Sequence, residues 1–233
     1  MTNKDIKNAY IGTTEVKAMY LGSTKVWSKE QVEVTDGVYI MLNDWSFVTV
    51  DQWKNANRPD NLGIAIIYGD KKLLLDYKNI NQYSLRLYDF GIEMPVAYSD
   101  TDALKDLNGF QNCTYAFANS PSFQEIAINL KLTTPNNEDL FPYVLSFGEA
   151  AILQRFGKDF YKALRAVGRV QYNPFWTSTR ASYDEFWYID SLEHVNANTP
   201  EDILQNMLYY KGSQEKTVNF LPIFDLSNVT VVQ

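Results

Sequence analysis

The sequence predicts an α+β fold, and three observations predict it. Short alternating or apolar runs bounded by turn residues fill the N-terminal part of the chain. Amphipathic segments with helix-capping signatures crowd the middle. β character then returns, with one helical pattern inserted into it. Strands, then helices, then strands is not the strict strand–helix alternation of a parallel α/β sheet.

Two near-copies of one motif open the chain. Tyr10-Ile-Gly-Thr-Thr-Glu-Val16 and Tyr20-Leu-Gly-Ser-Thr-Lys-Val26 follow each other with a period of ten residues. Each copy reads as a strand, a turn and a second strand. Gly12 and Gly22 supply the positive φ that such a turn requires. Val16 and Met19, then Val26 and Trp27, are the apolar positions that flank the turns. Two units of this size cannot bury a core of their own. They either fold back on the chain's own domain or serve as a docking or oligomerisation segment. The polar stretch from Ser28 to Asp36 favours the second reading. Residues 1–30 are therefore expected to be an anchor or assembly segment, and residues 37–233 the main domain.

In the main domain, Gly37 to Leu42 and Trp45 to Val50 are β-rich runs around Asn43-Asp44, a hairpin pattern. Trp53 lies in a polar stretch that ends at Pro59. Leu62 to Tyr68 is a nearly continuous apolar run, the mark of a buried strand. A turn at Gly69-Asp70 leads to Leu73–Leu75, and Tyr83 to Tyr88 alternates as a half-buried strand does. Ser122 with Glu125 and Ser146 with Glu149 are capping boxes. Phe123, Ile126 and Leu130 share the face of the first helix. Ile152, Leu153 and Phe156 lie at helical spacing in the second, which Gly157 breaks. Phe160, Leu164 and Val167 continue a stripe to Gly168, a C-cap. Phe175-Trp176, Phe186 to Ile189 and Val218 to Phe224 read as strands. Thr199-Pro200 is an N-cap followed by proline at the first helical position, predicting a helix over 199–210 with Ile203, Leu204, Met207 and Leu208 on its face.

Composition narrows the function classes. The chain has 233 residues, 21 Lys+Arg against 28 Asp+Glu, and a net charge of −7. With no Lys/Arg run, it does not read as a nucleic-acid binder. One Cys excludes a disulfide framework and a cysteine-based zinc site, and one His leaves no Ser–His pair or histidine metal site to expect. No run approaches the roughly 18 apolar residues of a membrane span, and the first residues lack the apolar core of a secretory signal. No cofactor and no resident metal are expected.

Several motifs together carry a resemblance. Gly37-Val-Tyr-Ile-Met-Leu-Asn-Asp-Trp-Ser-Phe-Val-Thr-Val-Asp-Gln-Trp53 resembles the opening of a class of Bacteroidales-phage virion proteins, and Leu62-Gly-Ile-Ala-Ile-Ile67 is similar to the strand that follows in them. Phe141-Pro-Tyr-Val-Leu-Ser-Phe-Gly-Glu149, Trp176-Thr-Ser-Thr179 and Val218-Asn-Phe-Leu-Pro-Ile223 fall in the order of the helix start, the Trp-Ser-Ser-Thr motif and the closing strand of a C-type-lectin-like domain of the formylglycine-generating-enzyme type. The N-terminal repeats resemble segments at the head of structural proteins of phages, crAss-like phages among them. The order spans nearly the whole chain. It departs from the pattern in its Asn-Asp turn and in the helix inserted at Thr199–Tyr210.

The resemblance implies a virion structural protein: a fibre or decoration protein on head or tail, located in the virion, with host-surface glycan as its candidate ligand. The implied partners are other virion proteins, met through Tyr10, Gly12, Val16, Tyr20, Gly22, Val26 and Trp27, and further copies of the chain, a homotrimer being the expected form. No nucleic acid, membrane insertion or enzymatic activity is implied, since the family's cysteine chemistry has no counterpart in Cys113. A building block of capsid or tail without a ligand is the alternative. A carbohydrate-active enzyme is the second.

The candidate ligand contacts are Arg180, Tyr183 and Asp184, whose residue types suit a recognition loop. Trp176 and Trp187 read first as core aromatics, with the hydroxyls of residues 177–179 satisfying turn backbone, and second as part of a binding surface. His194 has no evident catalytic partner, and Cys113 reads as a buried small residue. Glu138-Asp139, Asp184-Glu185 and Glu201-Asp202 are carboxylate pairs, but the two facing carboxyls of a glycosidase are not visible in sequence. Asp184 or Asp190 would be the residues of a calcium site, without any calcium-loop spacing to support it. Asn112-Cys-Thr114 and Asn228-Val-Thr230 match the glycosylation sequon as patterns only.

Overall fold

The period-ten repeat folds the same way twice. The first copy pairs β1 (Ala9–Ile11) with β2 (Thr14–Val16), and the second pairs β3 (Ala18–Leu21) with β4 (Thr24–Ser28), both antiparallel. Tyr10 faces Glu15 in one hairpin and Tyr20 faces Lys25 in the other. The copies then diverge, because a register shift in the second sets Met19 opposite Trp27 and leaves Val26 as the extra residue. The computed structural model describes residues 34–79, 96–169, 174–213 and 217–229, together with the strands at 9–11, 14–16, 18–21, 24–28 and 84–86. Gly12 and Gly22 lie outside the described residues. The chain divides into two units, Met1–Val34 and Thr35–Val232.

The larger unit is α+β. It opens with β5 (Gly37–Leu42) and β6 (Phe47–Val48), joined through the Asn-Asp turn with Trp45 in the left-handed region at φ 66°. The strand expected to reach Val50 stops early. Thr49 caps a helix, α1 (Val50–Asn55), in which Thr49 and Gln52 form a full capping box. β7 (Asn61–Tyr68) and β8 (Lys71–Leu75) follow as the apolar runs predict, and then a short strand, β9 (Ser84–Arg86).

Next come α2 (Asp100–Ala103), α3 (Gly109–Asn112), α4 (Thr114–Asn119) and α5 (Pro121–Leu130). The cap of α5 is Ser120 rather than Ser122. Its hydroxyl accepts from the Phe123 amide, and Pro121, which has no N–H to satisfy, takes the first helical position. A small hairpin of β10 (Leu132–Thr133) and β11 (Asp139–Leu140) leads to α6 (Phe147–Arg155) and α7 (Gly157–Ala166). Ser146 and Glu149 form the capping box of α6, and α7 ends in a left-handed Gly168 at φ 81°.

The C-terminal third holds β12 (Phe175–Arg180), β13 (Glu185–Leu192), α8 (Pro200–Asn206), β14 (Met207–Ser213), β15 (Thr217–Asn219) and β16 (Ile223–Asp225). The helix expected to run to Tyr210 ends at Asn206. From Met207 the chain pairs along β13 instead, where its β-branched and aromatic partners favour a strand. The run expected as one strand from Val218 to Phe224 is two, interrupted at Pro222, whose missing N–H cannot continue a ladder.

Among the described residues the unit has two five-stranded sheets. One has the order β16-β8-β7-β5-β6 and is antiparallel throughout. The other has the order β14-β13-β12-β15-β9, with β12 and β15 as its parallel pair. The break at Pro222 lets the chain pass from one sheet to the other. Helix α6 lies in the core they share, and its residues 147–154 are all buried. The Phe147 ring sits edge-on to Tyr209 at 5.2 Å and 5.3 Å from Trp187. Burying one such side chain stabilises the fold by about 1.5–3 kcal/mol.

Candidate functional site

The hairpin of β12 and β13 brings the sequence-predicted ligand contacts together at one tip. The strand behind them is wholly buried, from Phe175 to Arg180. Its hydroxyls are used internally. Thr177 Oγ1 donates to the Trp187 carbonyl at 2.7 Å. Ser178 Oγ accepts from Asn112 Nδ2 at 3.2 Å. Thr179 Oγ1 donates to the Asp106 carboxylate at 2.6 Å and accepts from the Phe147 amide at 2.8 Å. Asn112 donates to the same Asp106 carboxylate at 2.9 Å, and Ser146 Oγ donates to the Asp106 carbonyl at 2.6 Å. The Trp-Thr-Ser-Thr signature thus locks strand, α6 and the 106–112 segment into one network.

Arg180 turns out of this strand into the tip. It is 4% exposed, and its guanidinium donates to the carbonyls of Ser182 and Tyr183. It also lies 5.2 Å from the Tyr183 ring centroid and 5.8 Å from that of Phe186. Its charge therefore shapes the loop from within. Glu185 closes the turn through its carbonyl, which accepts from the Ala181 and Ser182 amides, and through its carboxylate, which accepts from Ser182 Oγ at 3.2 Å. Tyr183 is 65% exposed and Asp184 is exposed, so these two face solvent from the tip.

A second segment borders the tip. Val96 bridges to Arg180, the Ala97 amide donates to the Arg180 carbonyl at 2.8 Å, and Trp187 Nε1 donates to the Ala97 carbonyl at 3.0 Å. Tyr98 is 76% exposed, and its carbonyl accepts from Lys211 Nζ at 3.1 Å, whose ammonium lies 4.7 Å from the Trp187 ring centroid. Tyr98 and Tyr183 are thus exposed aromatics on two segments joined by the backbone bond between Ala97 and Arg180, with Asp184 next to Tyr183 in sequence and Lys211 on the Tyr98 carbonyl. Such a surface suits a sugar ring, whose C–H face packs on an aromatic while its hydroxyls take polar partners. Sequence reasoning missed Tyr98, since only the non-local pairing of residues 96–97 with Arg180 brings it here. Behind it, Tyr209 Oη donates to Asp100 at 2.7 Å. That bond holds the Asp100 carboxyl below its usual range, and burial together with Asp100 pushes the Tyr209 phenol up to about 12.

The other candidates are dispersed. Asp184 and Asp190 lie towards opposite ends of β13, and Asp190 is half-buried. Glu201 and Asp202 occupy the first turn of α8, where the helix dipole favours them. Asp139 is bound by Lys131 at 2.7 Å. Cys113 is fully buried, with its sulfur beside the Val144 backbone, and burial pushes its thiol far up, away from thiolate chemistry. His194 is exposed, its ring 3.6 Å from that of Tyr161 and its Nδ1 3.3 Å from Arg165 Nη2. Among the described residues no group of three or more His, Cys, Asp or Glu side chains is placed to hold a metal ion, and no helix is long and apolar enough to cross a membrane. The chain matches no family model, no curated protein and no solved structure.

Proposed function

We propose that the chain is a structural protein of a phage virion, a fibre or decoration protein of head or tail. Its hairpin unit is the attachment segment, and its α+β unit is a C-type-lectin-like domain that presents the tip around Tyr98, Tyr183 and Asp184 to a host-surface glycan. The observation that carries this reading is the repeated hairpin. Two copies that share their pairing next to the turn, Tyr10 opposite Glu15 and Tyr20 opposite Lys25, fall in a compact unit of their own. Such short hairpins gain stability only against something else. A partner subunit or neighbouring copies supply that surface in this reading, and closed symmetry makes a homotrimer the natural form for a fibre. No catalytic role is assigned to any residue.

One observation favours the second reading, a building block with no ligand. Arg180, the one cation of the expected contact set, is spent on the carbonyls of its own loop.

The test is deletion of residues 1–30 followed by immunogold labelling of particles. The truncated chain is expected to keep a cooperative unfolding transition while losing its label on the virion. Normal incorporation of the truncated chain, or absence of the full-length chain from particles, overturns the proposal. Saturable binding of the purified chain to host cells separates the adhesive reading from the ligand-free one.

A further inference from the structure

On a chain of net charge −7, one cleft gathers positive charge. It has a volume of about 460 Å³ and lies between α1, α7 and the 193–198 loop. Lys158, Lys162 and Arg165 line it from α7 at i, i+4 and i+7, one stripe of the helix. Lys54 and Arg58 line it from α1 and its end, and His194 from the loop. We propose that this cleft binds an acidic saccharide, through carboxylates held by these cations. The proposal goes beyond the virion reading and uses a surface other than the hairpin tip.

The charges are offset only in part, since Asp51 stands against both Lys162 and Lys54, and Asp159 lines the cleft among the cations. Asp51 accepts from Lys162 at 2.8 Å, and Asp159 accepts from Asn196 Nδ2 at 3.0 Å. Lys54, Arg58, Lys158 and Arg165 form no salt bridge among the described residues. Arg165 Nη2 does meet His194 Nδ1, which fixes one side of the guanidinium and leaves its other N–H groups for a ligand. A guanidinium matches a carboxylate in a bidentate fork, and flanking ammonium groups add charge without demanding geometry.

The walls are held in place. Gln154 is fully buried inside α6, its Nε2 donating to the carbonyls of Glu193 and Val195 at 3.2 and 3.0 Å and its Oε1 accepting from the Glu193 amide at 2.8 Å. Asn196 Oδ1 accepts from the Lys158 amide at 3.0 Å, which ties the loop to the start of α7. Opposite, Asn57 and Arg58 both sit in the left-handed region, at φ 60° and 55°. The pair turns the chain so that the Arg58 amide donates to the Trp53 carbonyl at 3.0 Å and its guanidinium lies 5.9 Å from the Trp53 ring centroid.

Size and shape select the ligand class. Small-molecule sites fall in the range of about 300–1,000 Å³, so this cleft takes one or two sugar units and is too large for a lone inorganic anion. The exposed His194 ring, backed by Tyr161, offers a flat face for a pyranose ring. A nucleic acid needs a basic track along its backbone, which a chain of net charge −7 without a Lys/Arg run does not favour.

Calorimetry on the full chain at low salt, with digalacturonate as the probe and neutral digalactose as its comparator, tests the proposal. Digalacturonate is expected to bind and digalactose to fail. The double variant Lys158→Gln/Arg165→Gln, whose exposed sites leave the circular dichroism spectrum unchanged, is expected to weaken binding by about tenfold or more, whereas Tyr183→Ala leaves it intact. Absence of digalacturonate binding, equal binding of the neutral sugar, full retention by the double variant, or tighter binding of inorganic phosphate, polyglutamate or single-stranded DNA each overturns it. Virion incorporation plays no part in this readout, so its outcome and that of the attachment test are independent.

Discussion

Thr179 donates its hydroxyl to Asp106 at 2.6 Å across 73 residues of chain. The same oxygen accepts from the amide of Phe147, the first residue of α6. One side chain thus satisfies a helix N-terminal N–H that has no partner within its own helix and fixes a carboxylate that also receives Asn112 and the Asn108 amide. Thr179→Val keeps the volume and removes both bonds. Leaving a buried amide and a carboxylate short of partners costs about 1–3 kcal/mol each. The variant is expected to lose about 2–4 kcal/mol in urea unfolding, while Thr179→Ser stays within about 1.5 kcal/mol of the parent, the cost of one buried methyl group. Equal stability of the valine variant would show that the network is redundant.

Gly157 carries a second long-range constraint. A Cβ at this position would stand 2.4 Å from the carbonyl oxygens of both Glu193 and Val195. Those carbonyls also accept from Gln154. Since the obstruction is backbone, no rotamer change relieves it, and the 193–198 loop must move. Gly157→Ala is expected to destabilise by about 1–3 kcal/mol, as overpacking does, and to shift the amide resonances of Asn196 and His194 more than those of the β12–β13 hairpin. A helix-propensity gain of about 1 kcal/mol from glycine to alanine opposes this, and net stabilisation would show that the loop yields freely.

What was legible in the sequence follows the range of each interaction. The caps at Ser146 and Thr199 were legible because a hydroxyl and an amide three residues on make the signal locally. Thr49-x-x-Gln52 carries the same signal, but the alternating run before it made a strand the stronger pattern, and α1 was missed. Ile203, Leu204, Met207 and Leu208 fit one helical face, yet Met207 pairs with Leu192 across the sheet, and that pairing is not written in the 3.6-residue period. Arg180 looked like a ligand contact because its type suits one. Its burial depends on how the loop closes around it. The basic cleft had no sequence signal, since its cations come from residues 54–58, 158–165 and 194, and no segment among them is a basic run.

Glu149 is fully buried at the heart of the capping box, with Oε2 accepting from the Ser146 amide at 3.0 Å and Oε1 from Lys71 Nζ at 2.9 Å. The buried Tyr143 phenol faces the same carboxylate, and burial first, then the Glu149 charge, raises it well above its ordinary value. Burial raises the Glu149 carboxyl above its ordinary value, and this outweighs Lys71, which acts in the opposite direction. The sign of the pH effect follows. Between the unfolded pKa, near 4.3, and the raised folded value, the native state binds more protons than the unfolded one. Stability from this group is fully present below the unfolded pKa and is lost as pH rises through the folded one. Glu149→Gln holds the site neutral at every pH. Lys71 is a quarter exposed and keeps Asp225 at 3.7 Å, so removing the Glu149 charge does not strand it. The variant is expected to match or exceed the parent's stability at pH 7 and to lack the parent's decline as pH rises from the carboxylate range. Urea unfolding at a series of pH values measures both. A variant clearly weaker than the parent at pH 7, with the parent's stability rising over the same window, would show instead that the ion pair with Lys71 outweighs the cost of burying the carboxylate.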